Sequence, residues 1–350
     1  MLRRIGTTVT MSVGLVLVGT VSAWACGSLI GPNGAVNLLR TTTLAAYVDG
    51  VEHYVTSFEY AGADGNFGSI VPLPDEPTKV ERGGDWTLQR LQKEVAPPID
   101  VRGGDGFAVA EAARAEVILK TKIDALDITV VRGGTEEVVA WAQANGFDVA
   151  PDTPEVIDFY ARRSPYFMAA RFDAAEAARR GQSVGDGTPI HVTIPTDDPW
   201  VPLRILAAAK GEAAPVEADV FLLTEDTPAL LPAPANQDGA AITSPALFLE
   251  RSEAASASLL ADLRSDKGMG WIPTTAWLSF VRIQGTAAQI DFDLAIDARG
   301  GTPSPIDAGL GDVIVNSVRA SGPLWPFALV AAMFALVAAM ALRRGTATAA

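Results

Sequence analysis

The chain has 350 residues, a net charge of −14, 49% hydrophobic residues and a single cysteine, Cys26. Its length suits one large domain or two ordinary ones, and the lone cysteine excludes an internal disulfide. The acidity disfavours nucleic acid and anionic surfaces as partners, because like charges oppose the approach.

Arg3 and Arg4 precede a short apolar run from Met11 to Val21, and Ala23-Trp24-Ala25 follows with small residues where signal peptidase requires them. Residues 1–25 are therefore predicted to be a signal peptide. The apolar run is shorter than the ~20 residues a spanning helix needs. Cleavage after Ala25 leaves Cys26 at the mature N-terminus. Lipidation of Cys26 is the competing outcome, but Ala23 stands where a lipobox carries Leu, and Trp24 is bulky for its position.

Residues 26–223 are expected to form the main ectodomain. Thr41–Val48 and Val51–Tyr60 read as strands joined by Asp49-Gly50, the two-residue signal for a type I′ hairpin. Phe67–Leu73 reads as a strand, and Trp86–Val95 as a helix with Asp85 as its N-cap. Strands are predicted over Glu116–Ile123 and Asp127–Val131, then a helix over Thr135–Asn145, capped by Thr135 and stopped by Asn145-Gly146. Asp152-Thr153-Pro154 opens another helix. Strands follow at Tyr166–Phe172, His191–Pro195, Val201–Ala209 and Val220–Thr224. Residues 224–240 form a Pro/Ala-rich connection, and residues 241–322 a second β-rich part. There Trp277–Gln284 and Gln289–Ile296 read as strands, with Asp291 and Asp293 on the solvent side of the second. Gly300–Gly311 reads as loop and Asp312–Val318 as a final strand.

Leu324–Leu342 carries no charge and is about as long as a bilayer core, so residues 323–342 are predicted to be a transmembrane helix. Trp325 marks its entry, and Arg343-Arg344 its cytoplasmic stop under the positive-inside rule. Residues 343–350 remain as a short cytoplasmic tail. Setting aside Arg3, Arg4, Arg343 and Arg344, the ectodomain carries a net charge near −18. The predicted class is α+β: a strand-dominated exported ectodomain with short helices and one C-terminal anchor.

Several stretches resemble a known family. Ala25-Cys26-Gly27, the hairpin ending Phe58-Glu59-Tyr60-Ala61-Gly62, and Phe67 to Pro74 (FGSIVPLP) carry the first part of the likeness. Val139-Ala140-Trp141 with Asn145-Gly146-Phe147, Tyr160 with Phe167-Met168-Ala169-Ala170, and Trp200-Val201-Pro202-Leu203-Arg204 carry the rest. Over residues 25 to 225 these resemble bacterial proteins catalogued as domain of unknown function 2330. Many members have further cysteines after the Cys-Gly start and a Trp where this chain has Ser69. The resemblance implies export and a C-terminal anchor, and no activity.

Catalytic motifs are scarce. The sequence contains no G-x-S-x-G elbow, S-x-x-K or Walker A loop, and Gly104-Asp105-Gly106 is a turn rather than a dinucleotide fingerprint. His53 and His191 are the only histidines and stand outside any metal-ligand spacing, so structural or surface roles are expected. Asp64-Gly65-Asn66-Phe67-Gly68 lacks the third oxygen ligand and distal Glu of a calcium loop. Four Arg-Gly-Gly triplets, at Arg82, Arg102, Arg132 and Arg299, are dispersed through an acidic chain and read as turns. Asp197 and Asp198 beside Trp200 are the candidate ligand contacts, an acid pair with an aromatic platform; a capped turn before Pro199 is the simpler account. No metal or cofactor is expected. These features point to a non-catalytic, membrane-tethered envelope protein with an envelope protein or glycan partner. A carboxylate-dependent, glycosidase-like hydrolase and a sensor ectodomain are the alternatives.

Overall fold

The computed structural model describes residues 28–30, 37–61, 66–95, 117–181, 187–237 and 239–311. Ala23, Ala25, Cys26, Asp64, the Gly104 turn, the strand expected over 312–318, the Leu324–Leu342 span and Arg343-Arg344 lie outside those residues. Among the described residues no helix is long and apolar enough to cross a membrane.

The first strands are β1 (Ser28–Ile30), β2 (Asn37–Val48), β3 (Val51–Ala61), β4 (Phe67–Leu73) and β5 (Lys79–Arg82). Helix α1 (Thr87–Val95), strands β6 (Val117–Ile123) and β7 (Leu126–Arg132), and helices α2 (Thr135–Ala144) and α3 (Thr153–Ala161) follow. Then come β8 (Tyr166–Phe172), α4 (Ala174–Arg180), β9 (Ile190–Pro195), β10 (Trp200–Val201) and β11 (Pro215–Thr224). The remainder comprises β12 (Ala229–Leu231), β13 (Ala233–Pro234), β14 (Thr243–Ser244), β15 (Leu247–Ala254), α5 (Ala257–Ser265), β16 (Trp277–Thr286) and β17 (Leu294–Asp297). The described chain is thus α+β and strand-dominated, with short helices.

A seven-stranded sheet runs in the order β15-β16-β11-β2-β3-β9-β5, and a five-stranded sheet in the order β1-β4-β8-β7-β6. All neighbours pair antiparallel except β11 and β2, so β15 and β16, beyond the 224–240 connection, join the sheet of the earlier strands. One face of the large sheet, with Leu44, Ala46, Val55, Phe221 and Leu223, packs on Leu88 and Leu91 of α1 and on Leu259, Leu260 and Leu263 of α5. The opposite face, with Ala45, Tyr54, Val192 and Val220, shares a core with the five-stranded sheet, α2 and α3. Strands β2, β3, β9 and β11 therefore carry buried residues on both faces, polar ones such as Thr43, Glu52 and His191 among them.

The hairpin between β2 and β3 turns at Asp49 and Gly50, with φ of 53° and 79°, the left-handed pair a type I′ turn demands. Helix α1 is not capped by Asp85, whose carboxylate instead pairs with Arg82. The cap comes from Asp266, almost 180 residues away and only 4% exposed. Its carboxylate accepts from the backbone N–H groups of Asp85, Trp86 and Thr87 and from the Thr87 hydroxyl, at 2.8 to 3.0 Å. Gly84 permits the approach, since a Cβ there would lie 2.6 Å from an Asp266 oxygen. Burial alone would raise the Asp266 carboxyl, but these donors prevail and hold it below its ordinary value. Asp266→Ala strands several buried donors and is expected to cost about 2–3 kcal/mol. Urea denaturation reads this directly, and a loss under about 0.5 kcal/mol would show that water replaces the cap.

Three further expectations are corrected. Helix α2 begins after Gly134, whose N–H donates to Glu137 at 2.7 Å, so Thr135 is inside the helix and not its cap. Val201–Ala209 is not one strand: β10 ends at Val201, and Arg204–Ala207 forms a 3-10 turn. Pro202 cannot continue the ladder, and the Leu203 and Arg204 N–H groups donate to a carboxylate. Gln289–Ile296 is likewise broken, with a 3-10 turn at Ala287–Gln289 and β17 starting only at Leu294. That carboxylate belongs to Asp293, which is buried.

Candidate functional site

The residues around Asp197 and Asp198 are held by backbone bonds from three directions. Thr196 N–H donates to Gly50 O at 3.2 Å, and the Tyr47 hydroxyl donates to Thr196 O at 2.9 Å. Ile296 N–H donates to Pro199 O at 3.0 Å, tying the same loop to β17. Beyond β17, Asp297 Oδ1 accepts the Arg299 N–H at 3.0 Å, and the turn continues through Gly300 at φ 74°. A Cβ on Gly301 would lie 2.3 Å from an Asp297 oxygen, so this Arg-Gly-Gly triplet serves a turn that only glycine fits.

Between the loop and the turn lies a cleft of about 350 Å³. Asp197, Asp198, Asp297 and Asp307 line it, together with Tyr47, Ser304 and Arg299. Arg299 is the one basic residue of that lining, and its guanidinium pairs with Glu225 at 3.3 Å. A second cleft of about 240 Å³ shares Tyr47, Ala298 and Arg299 with the first and adds Asp49 and Glu225. Burial raises the Asp307 carboxyl above its ordinary value and Asp198 adds to the rise, while a Ser304 hydrogen bond and Arg163 oppose it. Burial likewise raises the Tyr47 phenol, and Asp197 and Asp198 push the same way against the pull of Arg299.

The structure thus brings Asp197 and Asp198 together with two further acids, but Trp200 does not join them. Its ring is 2% exposed and stacks on Tyr160 with centroids 5.8 Å apart, so it offers no platform to a ligand in the cleft.

Beneath the cleft is a buried ion pair that sequence reading missed. Asp293, 0% exposed, binds the Arg163 guanidinium. It also accepts from the Tyr160 hydroxyl at 2.7 Å, Leu203 N–H at 2.7 Å and Arg204 N–H at 3.0 Å. Arg163 sits among the rings of Phe159, Trp200 and Tyr160, at 4.4, 4.7 and 5.1 Å, and donates to the Asp307 carbonyl. Burial, with Asp293 beside it, drives the Tyr160 phenol well above its ordinary value, so it stays a donor. Asp293 N–H donates to Ala308 O at 3.0 Å, which fixes the Asp307 side of the cleft. The knot therefore joins α3, β10 and both walls of the cleft.

Two other titratable groups stand on β3, one buried and one half-buried. Glu52 is 0% exposed, and among the described residues neither carboxyl oxygen has a hydrogen bond of ordinary geometry. Burial pushes it up to about 8, opposed only in part by the Trp200 N–H. On the opposite face, His53 Nδ1 and His191 Nε2 are 2.9 Å apart, and the His53 ring stacks on Trp271 at 4.0 Å. Burial lowers His53 to about 4 against the pull of Glu81, and lowers His191 to about 3 with help from His53 and Lys79. Glu52 and His53 both lie inside the Val51–Tyr60 run that reads as a strand, the one signal available for their burial.

Over residues 20–295 the chain matches a family described as "Uncharacterized protein conserved in bacteria (DUF2330)". No curated protein matches it. Among solved structures it is similar to baculovirus P35, at 10% identity and a TM-score of 0.40, covering 77% of this chain and 99% of that one. A chain of the caspase-8/P35 complex gives 8% identity and a TM-score of 0.37, over 74% and 96%.

Proposed function

We propose, for a chain that belongs to the DUF2330 family of uncharacterised bacterial proteins, a role as an exported, membrane-anchored binding protein of the cell envelope. Its ligand is cationic and sits in the cleft beside Tyr47. The observation that carries this reading is the convergence of Asp197, Asp198, Asp297 and Asp307 on one cavity whose single guanidinium is turned toward Glu225. A concave site lined by one sign of charge concentrates the opposite sign. Export and anchoring are supported by the Arg3-Arg4 to Ala25 segment and by Leu324–Leu342 with Arg343-Arg344.

The double variant Asp197→Asn/Asp198→Asn is expected to bind spermidine at least about tenfold more weakly than the parent, as loss of two neighbouring charges implies. Equilibrium dialysis of the full chain in detergent at low salt measures this, and unchanged affinity would remove the cleft from the account. N-terminal sequencing of the membrane-extracted protein tests export: mature protein beginning at Cys26 supports it, and an intact Met1 contradicts it.

A second reading, a carboxylate-dependent hydrolase, draws on one observation, the raised Asp307 carboxyl beside Asp198. A carboxyl raised by burial next to another carboxylate is the arrangement glycoside hydrolysis uses. Release of reducing ends from envelope glycans, abolished by Asp307→Asn, would favour it over simple binding.

A further inference from the structure

His53 faces Thr193 across the β3–β9 ladder and His191 faces Val55, so the two imidazoles are diagonal neighbours on one face of the sheet. Their rings meet edge to edge. His53 Nδ1 and His191 Nε2 are 2.9 Å apart, with centroids 5.1 Å apart and planes 28° from parallel. Two ring nitrogens are thereby aimed at one another along a line. Trp271 covers the junction, its ring 4.0 Å from His53 and tilted by only 6°, and 5.1 Å from His191. The indole Nε1 is buried and makes no hydrogen bond among the described residues, so the ring contributes its face alone. On the other side of His191, which is 1% exposed, Nδ1 lacks an ordinary hydrogen bond and lies 3.5 Å from Glu81 Oε1. Glu81 is the direct partner of His191 across the β5–β9 ladder.

The Arg82-Gly83-Gly84 triplet fixes this arrangement. A Cβ on Gly83 would lie 3.0 Å from the His191 backbone nitrogen, and one on Gly84 2.6 Å from an Asp266 oxygen. Asp266 opens the turn through Met269 to Ile272 that carries Trp271. The histidine strand and the tryptophan turn therefore both close on glycines.

We propose that the pair is a two-coordinate site for Cu(I), held between His53 Nδ1 and His191 Nε2 beneath the Trp271 ring. The donor set selects the ion. Among the described residues no three His, Cys, Asp or Glu side chains form a metal-binding group, as a tetrahedral zinc shell would require. Two opposed imidazole nitrogens are instead the linear set that monovalent copper accepts. The indole face adds attraction for a cation. Metal–nitrogen bonds of about 2 Å place the nitrogens about 4 Å apart, so the pair opens by roughly 1 Å on loading. Half-buried His53 has room for that movement.

The Glu81 carboxylate favours the Nδ1–H form of His191, which makes Nε2 the acceptor and places the shared proton on His53 Nδ1. The ion takes that proton's place. The proton passes through solvent to His53 Nε2, so both rings stay neutral and none is released. Glu81 then orients the metal-bound His191 from behind. None of these residues lines either cleft, so the site does not depend on the cationic-ligand reading.

Anaerobic titration of the full chain in detergent with Cu(I), against a chromogenic Cu(I) chelator, tests the proposal, together with X-ray absorption of the loaded protein. One Cu(I) per chain is expected, with two nitrogen neighbours at about 2 Å and no sulfur. His53→Gln should bind at least about a hundredfold more weakly and Glu81→Gln about tenfold, through loss of a ligand and of its orienting partner. A shell containing sulfur, from Cys26 or a methionine, overturns the site, as does unchanged affinity in His53→Gln. Failure to bind Cu(I) overturns it too and leaves the acidic cleft untouched. Should the variants not fold, the absorption spectrum of the parent decides alone.

Discussion

Asp293→Ala is expected to destabilise the fold by about 3–5 kcal/mol, the cost of leaving a buried cation without its partner. The Arg163 guanidinium would keep its aromatic neighbours but lose its counter-charge in a largely buried place. The Tyr160 hydroxyl and the Leu203 and Arg204 N–H groups would lose their acceptor in the same step. Thermal unfolding should drop by on the order of 10 °C. Asp293→Asn keeps an acceptor for the backbone and should fall between the two. The reciprocal change Arg163→Met removes the cation and should cost less than Asp293→Ala, since Asp293 retains its three neutral donors. A loss below about 1 kcal/mol for Asp293→Ala, by denaturant titration, would mean the knot is not the anchor of this region.

The second large effect is a stability optimum in pH, reached near pH 6.5. The folded-state values of His53 and His191, about 4 and 3, lie below the ordinary 6.5. As pH falls below 6.5 the unfolded chain takes up protons that the folded chain refuses, so stability drops on the acid side. The folded-state value of Glu52, about 8, lies above its ordinary 4.5. Its contribution is complete below pH 4.5 and is lost as pH rises toward about 8. Each group contributes a slope of up to about 1.4 kcal/mol per pH unit, with His53 discounted for its partial exposure. Between pH 4.5 and 6.5 the two histidines outweigh Glu52, and above pH 6.5 Glu52 acts alone. Glu52→Gln should therefore abolish the alkaline decline and leave the acid limb in place. Urea midpoints from pH 5 to 9 measure both limbs. An alkaline decline that survives in Glu52→Gln would contradict the assignment.

The fold was legible where local chemistry settles it. Asp49-Gly50 specifies its turn, and Tyr166–Phe172 is bounded by turn residues, so its limits are matched residue for residue. What escaped was decided at long range. The alternation of Gln289–Ile296 places Asp291 and Asp293 on one face, but in the fold only Asp291 meets solvent. Asp293 goes inward because its partners, Arg163, Tyr160 and Leu203, lie 90 or more residues away. The cap of α1 was missed for the same reason, as Asp266 belongs to another helix end. Helix α5 and strand β15 were not anticipated, although Ser256 is an ordinary N-cap before Leu259, Leu260 and Leu263. At the site, Asp197 and Asp198 were readable as an exposed acid pair. Their convergence with Asp297 and Asp307 was not, since it depends on β10 pairing with β17 across almost a hundred residues.

The most direct test of the central claim is a competition titration on the full chain, with spermidine against an uncharged chitin trisaccharide at 20 mM and 200 mM salt. The account predicts that spermidine alone binds, more weakly at the higher salt, and that Asp197→Asn/Asp198→Asn weakens it. Binding of the neutral sugar with no response to spermidine would contradict it and shift the cleft to the hydrolase reading.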